Sequence, residues 1–423
     1  NDTLVGNAAP RIPTDGDVVV IRNSHTVSFQ RGTTVANRNT PNLDAHNAGS
    51  LQIQSAGILD ITYNPGSNFG IVASLPDGNG LIRISTQYNS GATFEFPDGD
   101  FSDFNMNLGT TELYPFNTNS GTTYWLPNGV LEYGNLILSP AGGSNVIFPN
   151  NDLLIYGNLI TRGENSESWI CPIWNSNYPT TPTARTAKTI TINDNFQIEG
   201  GALVWYGNNA LAQDFVVNGD LIVSTNAGLQ DYSNASNQSI SIGGDFMNNS
   251  LAPGGGVSGY RGCDFDDIPL TFFGGGTHYI SNDDPSDNTY TNIETLTVNK
   301  GASQADSLIV NITGTFSTPN NDWLTLQNGT FRYERDADLN ITTTSEFIIP
   351  STAGLYIDTN GGTVALANAN SDDNDVYLNG KLTVNGDVNI GTSSNNNQDI
   401  EYSGGGDSEI DIQGGIFFVN GQV

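Results

Sequence analysis

VYLNGKLTVNGDVNI, residues 376–390, carries one unit twice: alternating apolar residues, an Asn-Gly pivot, then alternating apolar residues again. Alternation with a period of two marks a strand with one buried face, and Asn-Gly is turn chemistry. The unit recurs toward the N-terminus as VLEYGNLIL (130–138), LLIYGNLIT (153–161), ITINDNFQI (190–198), VVNGDLIV (216–223), SISIGGDFM (239–247) and VNITGTF (310–316). The pivots Gly134 and Gly157 are 23 residues apart and Gly219 and Gly243 are 24 apart, with Asp194 in the pivot position between the two pairs. A repeat of that length means supersecondary units stacked on one another, because one unit cannot bury its own apolar face.

Helical repeats need 10–15 residues of 3.6 periodicity per unit, and leucine-rich repeats need a Leu/Asn ladder. The chain has neither. A β-propeller, the nearest alternative, needs blades of about 40 residues with four antiparallel strands. Three short strands per 23–25 residues predict an all-β fold, a right-handed parallel β-helix. Val217, Leu221, Val223, Ile240, Ile242 and Phe246 should point inward, and the pivot glycines should supply positive φ at the bends.

Residues 126–423 read as the regular part of this solenoid, with projecting loops at 162–188 and 248–270. Residues 1–125 read as an irregular N-terminal section holding its first coils and cap, because an open end coil is an unpaired sheet edge. SEIDIQGGIFFVNGQV (408–423) is a strand–turn–strand unit without a polar cap, so the stack is expected to continue beyond 423.

Composition narrows function. Among 423 residues, 44 are acidic and 13 basic, for a formal net charge of −31. That balance supplies no basic stripe for nucleic acid or for an anionic membrane surface. No apolar run is long enough for a membrane span, and NDTLVGNAAPRIP at the N-terminus has no signal-peptide pattern. Cys171 and Cys263 could join in one disulfide or remain separate thiols.

The residue patterns suggest three kinds of site chemistry. Acidic clusters at Asp264, Asp266 and Asp267, at Asp283, Asp284 and Asp287, and at Asp372, Asp373 and Asp375 offer the oxygen ligands that Ca²⁺ prefers. SNDDPSDN (281–288) leads as the metal candidate, although Asp and Asn are also plain turn formers. Ca²⁺ is the one cofactor suggested, and none is required. Trp169, Trp174, Tyr178 and Tyr260 could stack on sugars or could pin their loops to the solenoid. The basic residues inside repeat units, Arg162, Lys188, Lys300, Arg332, Arg335 and Lys381, stand singly. In FRYERDADL (331–339), alternation puts Arg332 and Glu334 on one face as a surface ion pair. His25, His46 and His278 show no ligand spacing, and no nucleophile elbow, zincin motif or P-loop is present.

In their order, DGDVVVIRNSHTVSF (15–29), SLQIQSAGILDI (50–61), GNGLIRIS (78–85), FPDGDFSDF (96–104), GTTELYPF (109–116), LTFFGGGTHYISN (270–282) and YTNIETLTVNKG (290–301), followed by the NGKLTVNGDVNI units, resemble a known group. They are similar to the repeat regions of large secreted surface proteins of the Bacteroidetes, adhesin-like proteins of the type IX secretion system associated with gliding motility. The resemblance implies an extracellular β-helix serving as stalk, filament or adhesin. Its expected partners are an extracellular polysaccharide or surface and the secretion machinery. Asp2-Thr3-Leu4 and Asp306-Ser307-Leu308 are similar to the Bacteroidetes O-glycosylation pattern, which makes Thr3 and Ser307 candidate glycosylation sites. The expectation is therefore a non-catalytic structural or adhesive segment at the cell surface. The alternatives are a β-helix polysaccharide lyase or glycoside hydrolase, or a glycan-binding module.

Overall fold

The computed structural model describes residues 18–29, 50–61, 68–85, 94–114, 123–149, 151–164, 168–172, 187–206, 212–233, 237–252, 261–283, 288–368, 375–391, 398–402, 408–421 and 423. The chain forms a parallel β-solenoid of stacked turns, 57% strand and 2% helix. Each turn runs through a leading, a central and a trailing strand. One turn, for example, comprises Gln213–Val217, Leu221–Val223 and Ala227–Ser233.

Among the described residues, only the central strands pair without interruption, from Thr26–Phe29 through to Glu409–Gly414. Fifteen strands at about 4.8 Å make this ladder roughly 70 Å long. The shortest coils keep the expected period, as in Leu136↔Leu159, 23 residues on. Insertions after the central or trailing strand lengthen others, as in Leu159↔Phe196, 37 residues on.

Val217, Leu221, Val223, Ile240, Ile242 and Phe246 are all fully buried, as the alternation predicts. The interior is one continuous apolar column from Ile21 to Ile400. Aromatic rings reinforce it, with Phe215 stacked on Phe196 at 5.9 Å and edge-on to Phe148 at 5.5 Å.

The bends differ from expectation. None of the pivots Gly134, Gly157, Gly219 and Gly243 lies in the left-handed region. Their missing Cβ makes room for the coil below: a Cβ on Gly134 would sit 2.2 Å from the Gly109 carbonyl oxygen, and one on Gly219 would sit 2.5 Å from Asn195 Oδ1. That closeness has a purpose. Beside the pivots, the side-chain oxygen of one coil accepts the backbone N–H of the next. Asn158 N–H donates to Asn135 (2.9 Å), Asn195 N–H to Asn158 (3.1 Å), Asp220 N–H to Asn195 (2.8 Å), Asp245 N–H to Asp220 (2.8 Å) and Tyr279 N–H to Asp245 (3.0 Å). The Gly-Asn and Gly-Asp dipeptides are thus inter-coil brackets at corners where the strand ladder has stopped.

One such bracket is directly testable. Asp220→Ala leaves the Asp245 N–H without its acceptor and is expected to cost about 1–2 kcal/mol. Asp220→Asn, which keeps an oxygen, should restore most of that in urea denaturation midpoints.

Two discontinuities break the leading and trailing faces. The one helix among the described residues, Ser102–Met106, stands where the leading ladder begins again at Glu132–Tyr133. There Asn105 imitates a strand backbone, donating to the Glu132 carbonyl (3.1 Å) and accepting the Gly134 N–H (3.3 Å). The second break follows Thr315–Ser317 on the trailing face and Leu324 on the leading face. Trp323, buried, donates its ring N–H to the Asn340 carbonyl (2.9 Å). Arg335 leaves the surface to bond the Gly314 carbonyl (2.7 Å) over the Phe316 ring.

The cysteines lie on the trailing face and are both buried free thiols. The ladder Ile170↔Leu203↔Leu229↔Cys263 puts three rungs between the strands of Cys171 and Cys263. That is about 14 Å, twice the span a disulfide bridges.

Candidate functional site

The most perturbed group of carboxylates lies on the trailing flank. Strands Gly262–Asp264 and Tyr290–Asn292 pair in parallel, with Asp264 opposite Asn292. Phe265 turns into the core beside Asp264, and Asp266, at φ +28°, folds its carboxylate back toward it. The Asn292 amide donates to Asp264 Oδ1 at 2.8 Å and to Asp266 Oδ1 at 3.0 Å.

Burial first, then the hydrogen bond with Asp264, then the charges of Asp264, Glu294 and Asp231 push the Asp266 pKa up to about 7. Glu294 is also raised, by burial and by Asp267, Asp264 and Asp231, against the opposing hydrogen bond from Asn320. Tyr290 is raised by burial and by the Asp264–Asp266 pair. Asp266 therefore holds its proton more firmly than an ordinary carboxylate does.

Of the other expected metal ligands, Asp283 and Asp375 lie among the described residues. Asp375 accepts the Asp399 N–H at 2.7 Å, the same bracket as at the pivots. Asp283 is exposed, and its N–H donates to Asn249 Oδ1 (2.8 Å). Asp284, Asp287, Asp372 and Asp373 lie outside the described residues. Among the described residues, no three His, Cys, Asp or Glu side chains converge as a metal-ligand set.

Trp169 belongs to the trailing strand Trp169–Cys171 and packs on Ile147, Cys171 and Ala202, the pinning role. Trp174, Tyr178 and Tyr260 lie outside the described residues, as does Thr3. Ser307 opens a central strand, and its hydroxyl donates to Thr277 Oγ1 at 3.1 Å.

The outward central face carries features that linear reading only half revealed. Arg332 pairs with Glu334, as alternation predicts, and also with Asp358 one coil on, while its guanidinium lies 4.3 Å from the Tyr356 ring centroid. Near the other end, Arg83 repeats the arrangement with Glu112, Asp60 and the Tyr114 ring, again at 4.3 Å. Between Thr330 and Lys381, Gly354 leaves a notch of about 250 Å³ that is lined also by Gln304, Ser307, Arg332 and Tyr356. The cross-coil partners could not be found from spacing, because coil length varies between them.

No family model, no curated protein and no solved structure matches the chain. Among the described residues, no helix is long and apolar enough to cross a membrane.

Proposed function

We propose that this chain is a non-catalytic structural and adhesive segment of a large bacterial cell-surface protein, acting outside the cell as a stalk, filament or adhesin. The observation that carries the reading is the central ladder: fifteen strands pair in sequence without a gap, while among the described residues the other two faces are interrupted. A continuous ladder resists bending and shear, because displacing any coil breaks main-chain bonds on both sides. Similarity to Bacteroidetes surface proteins supports the extracellular setting, export through type IX secretion and a place in gliding motility. The Gly354 notch, with Tyr356 and Arg332 beside it, is where a glycan of the target surface would lodge.

Retention on immobilised polysaccharides tests adhesion. The chain is expected to bind without releasing product, and Tyr356→Ala to weaken retention about tenfold, the equivalent of about 1.4 kcal/mol, with its far-UV spectrum unchanged. Failure to bind any surface polysaccharide would remove the adhesive half of the proposal. A second reading, a polysaccharide lyase or hydrolase, is favoured by Asp266, a half-buried carboxyl whose pKa is pushed up to about 7. Product release that Asp266→Asn abolishes would establish it in place of the first.

A further inference from the structure

On the leading flank, the strand ladder breaks where the surface is both apolar and acidic. Asp98–Asp100 pairs with Asn68–Val72 on one edge and, among the described residues, with no strand on the other. The leading strand of the next turn, Glu132–Tyr133, bonds instead to Asn105 of the intervening helix. Asp103 ties that helix to the turn before by accepting the Ser74 N–H (2.6 Å). Between the two strands lies a cleft of about 840 Å³, in the upper part of the about 300–1,000 Å³ that binding sites span. Phe96, Pro97 and Leu131 line it together with Glu95, Asp98 and Glu132.

Two properties of this surface say what covers it. Away from the first and last turns, five large apolar side chains are exposed among the described residues. Four of them belong to this break: Ile71 pairs with Asp100, Met106 ends the helix, Leu108 follows it and Leu131 lines the cleft. Such clustering differs from the single exposed apolar residues of an ordinary surface. The charge is equally one-sided. From Ile84 to Thr161 the chain has seven acidic residues and no Lys, Arg or His.

We infer that this cleft is a docking site for an extended peptide segment of a partner protein, one in which apolar side chains alternate with Lys or Arg. The segment adds as a strand to the open edge of Asp98–Asp100. Its period of two sends apolar side chains onto Leu131 and Phe96 and leaves the basic ones to meet Glu95, Asp98 and Glu132. A glycan fits less well. Phe94 and Phe101 are buried and Phe96 is edge-on to Phe101 and Tyr133, so these rings engage one another rather than a sugar. A second copy of the chain is opposed by its own net charge of −31.

Random nonapeptides displayed on phage are to be selected on the immobilised chain and rescreened on the double variant Asp98→Lys, Leu131→Ser. Both side chains are exposed, so the variant should keep the parent's Tm. The enriched peptides are expected to alternate Lys or Arg with apolar residues and to bind the double variant about tenfold more weakly. Ile348→Ser, which removes the fifth exposed apolar side chain, should bind them as the parent does. Asp98→Lys alone should weaken binding at low salt and have little effect at high salt. A benzophenone-bearing copy of the best peptide should crosslink within residues 94–106 or 127–132. The inference is overturned if no peptide is enriched, if the enriched peptides lack basic residues, or if they bind the double variant as well as the parent. Displacement of the peptide by a soluble polysaccharide would reassign the cleft to a glycan. Self-association of the parent that the double variant loses would reassign it to a second copy.

Discussion

Gly134→Ala is expected to cost about 3 kcal/mol, the upper end of what overpacking usually does, and to open the stack on one side of its coil. A Cβ there would stand 2.2 Å from the Gly109 carbonyl oxygen and 2.7 Å from the Gly109 nitrogen. Both contacts are backbone, so no rotamer change relieves them. The coils must separate, and separation strains two bonds at the same corner, Asn135 N–H to the Gly109 carbonyl (2.8 Å) and Gly157 N–H to the Gly134 carbonyl (2.8 Å). Gly129→Ala, five positions earlier, is the control. Gly129 has φ +91° but nothing within 4 Å of a Cβ, so its cost is conformational alone, about 1–2 kcal/mol. Urea denaturation separates the two, and hydrogen exchange should show faster opening of Asn135–Leu138 only in Gly134→Ala. Equal costs at the two positions would mean that the pivots serve backbone conformation and not coil approach.

Raising the pH from 7 toward 10 is expected to stabilise the fold through Lys188. This side chain is 5% exposed, and its Nζ donates to the Pro149 carbonyl (2.7 Å) and the Pro172 carbonyl (2.6 Å). Burial alone brings its pKa down from 10.5 to about 7. Between those values the unfolded chain holds a proton that the folded chain has released, so stability increases with pH, by about 1.4 kcal/mol per unit. Below pH 7 both states are protonated and the full penalty of the buried charge remains. Across the window the gain is on the order of 4 kcal/mol. Lys300, brought by burial to about 8, acts in the same direction over a narrower range. Lys188→Met removes the Lys188 contribution, so its stability relative to the parent should fall as pH rises. A difference between the two proteins that stays constant from pH 7 to 10 would show that the amine remains charged inside the fold.

Lys188 also shows what a sequence withholds by habit rather than by necessity. In KTITI (188–192) it shares the parity of Ile190 and Ile192, which places it inside. The ladder sets it below Gln213 and Gln238, long polar side chains at the same inward position of the next two turns. Lys300 follows Leu296 and Val298 in the same way. Alternation alone carries that signal, although a lysine is rarely buried without a charged partner. Asp375, from the run of three acids at 372–375, also holds the next coil's backbone through its carboxylate.

The acidity takes on a more specific meaning. Many of the Asp side chains do bonding work at the corners. Asp152, Asp322, Asp336, Asp338 and Asp387 each accept an N–H from the following turn, as Asp220 and Asp245 do. Short carboxylates and amides reach across one coil spacing, and the surrounding glycines keep that spacing small.

By itself, the sequence determined the fold class, the inward residues of the clearest repeat units and the position of the corners. All three follow from alternation and turn chemistry, which are properties of a few consecutive residues. Tertiary structure decided which residues meet across coils. Asp264 reaches Asn292, Arg332 reaches Asp358, and Cys171 is kept from Cys263. The physical reason is coil length. Partners in a solenoid are set by how much chain each turn consumes, here 23 to 37 residues between central strands. Loops that carry no periodicity of their own set that length, so the register they impose is read only from the folded stack.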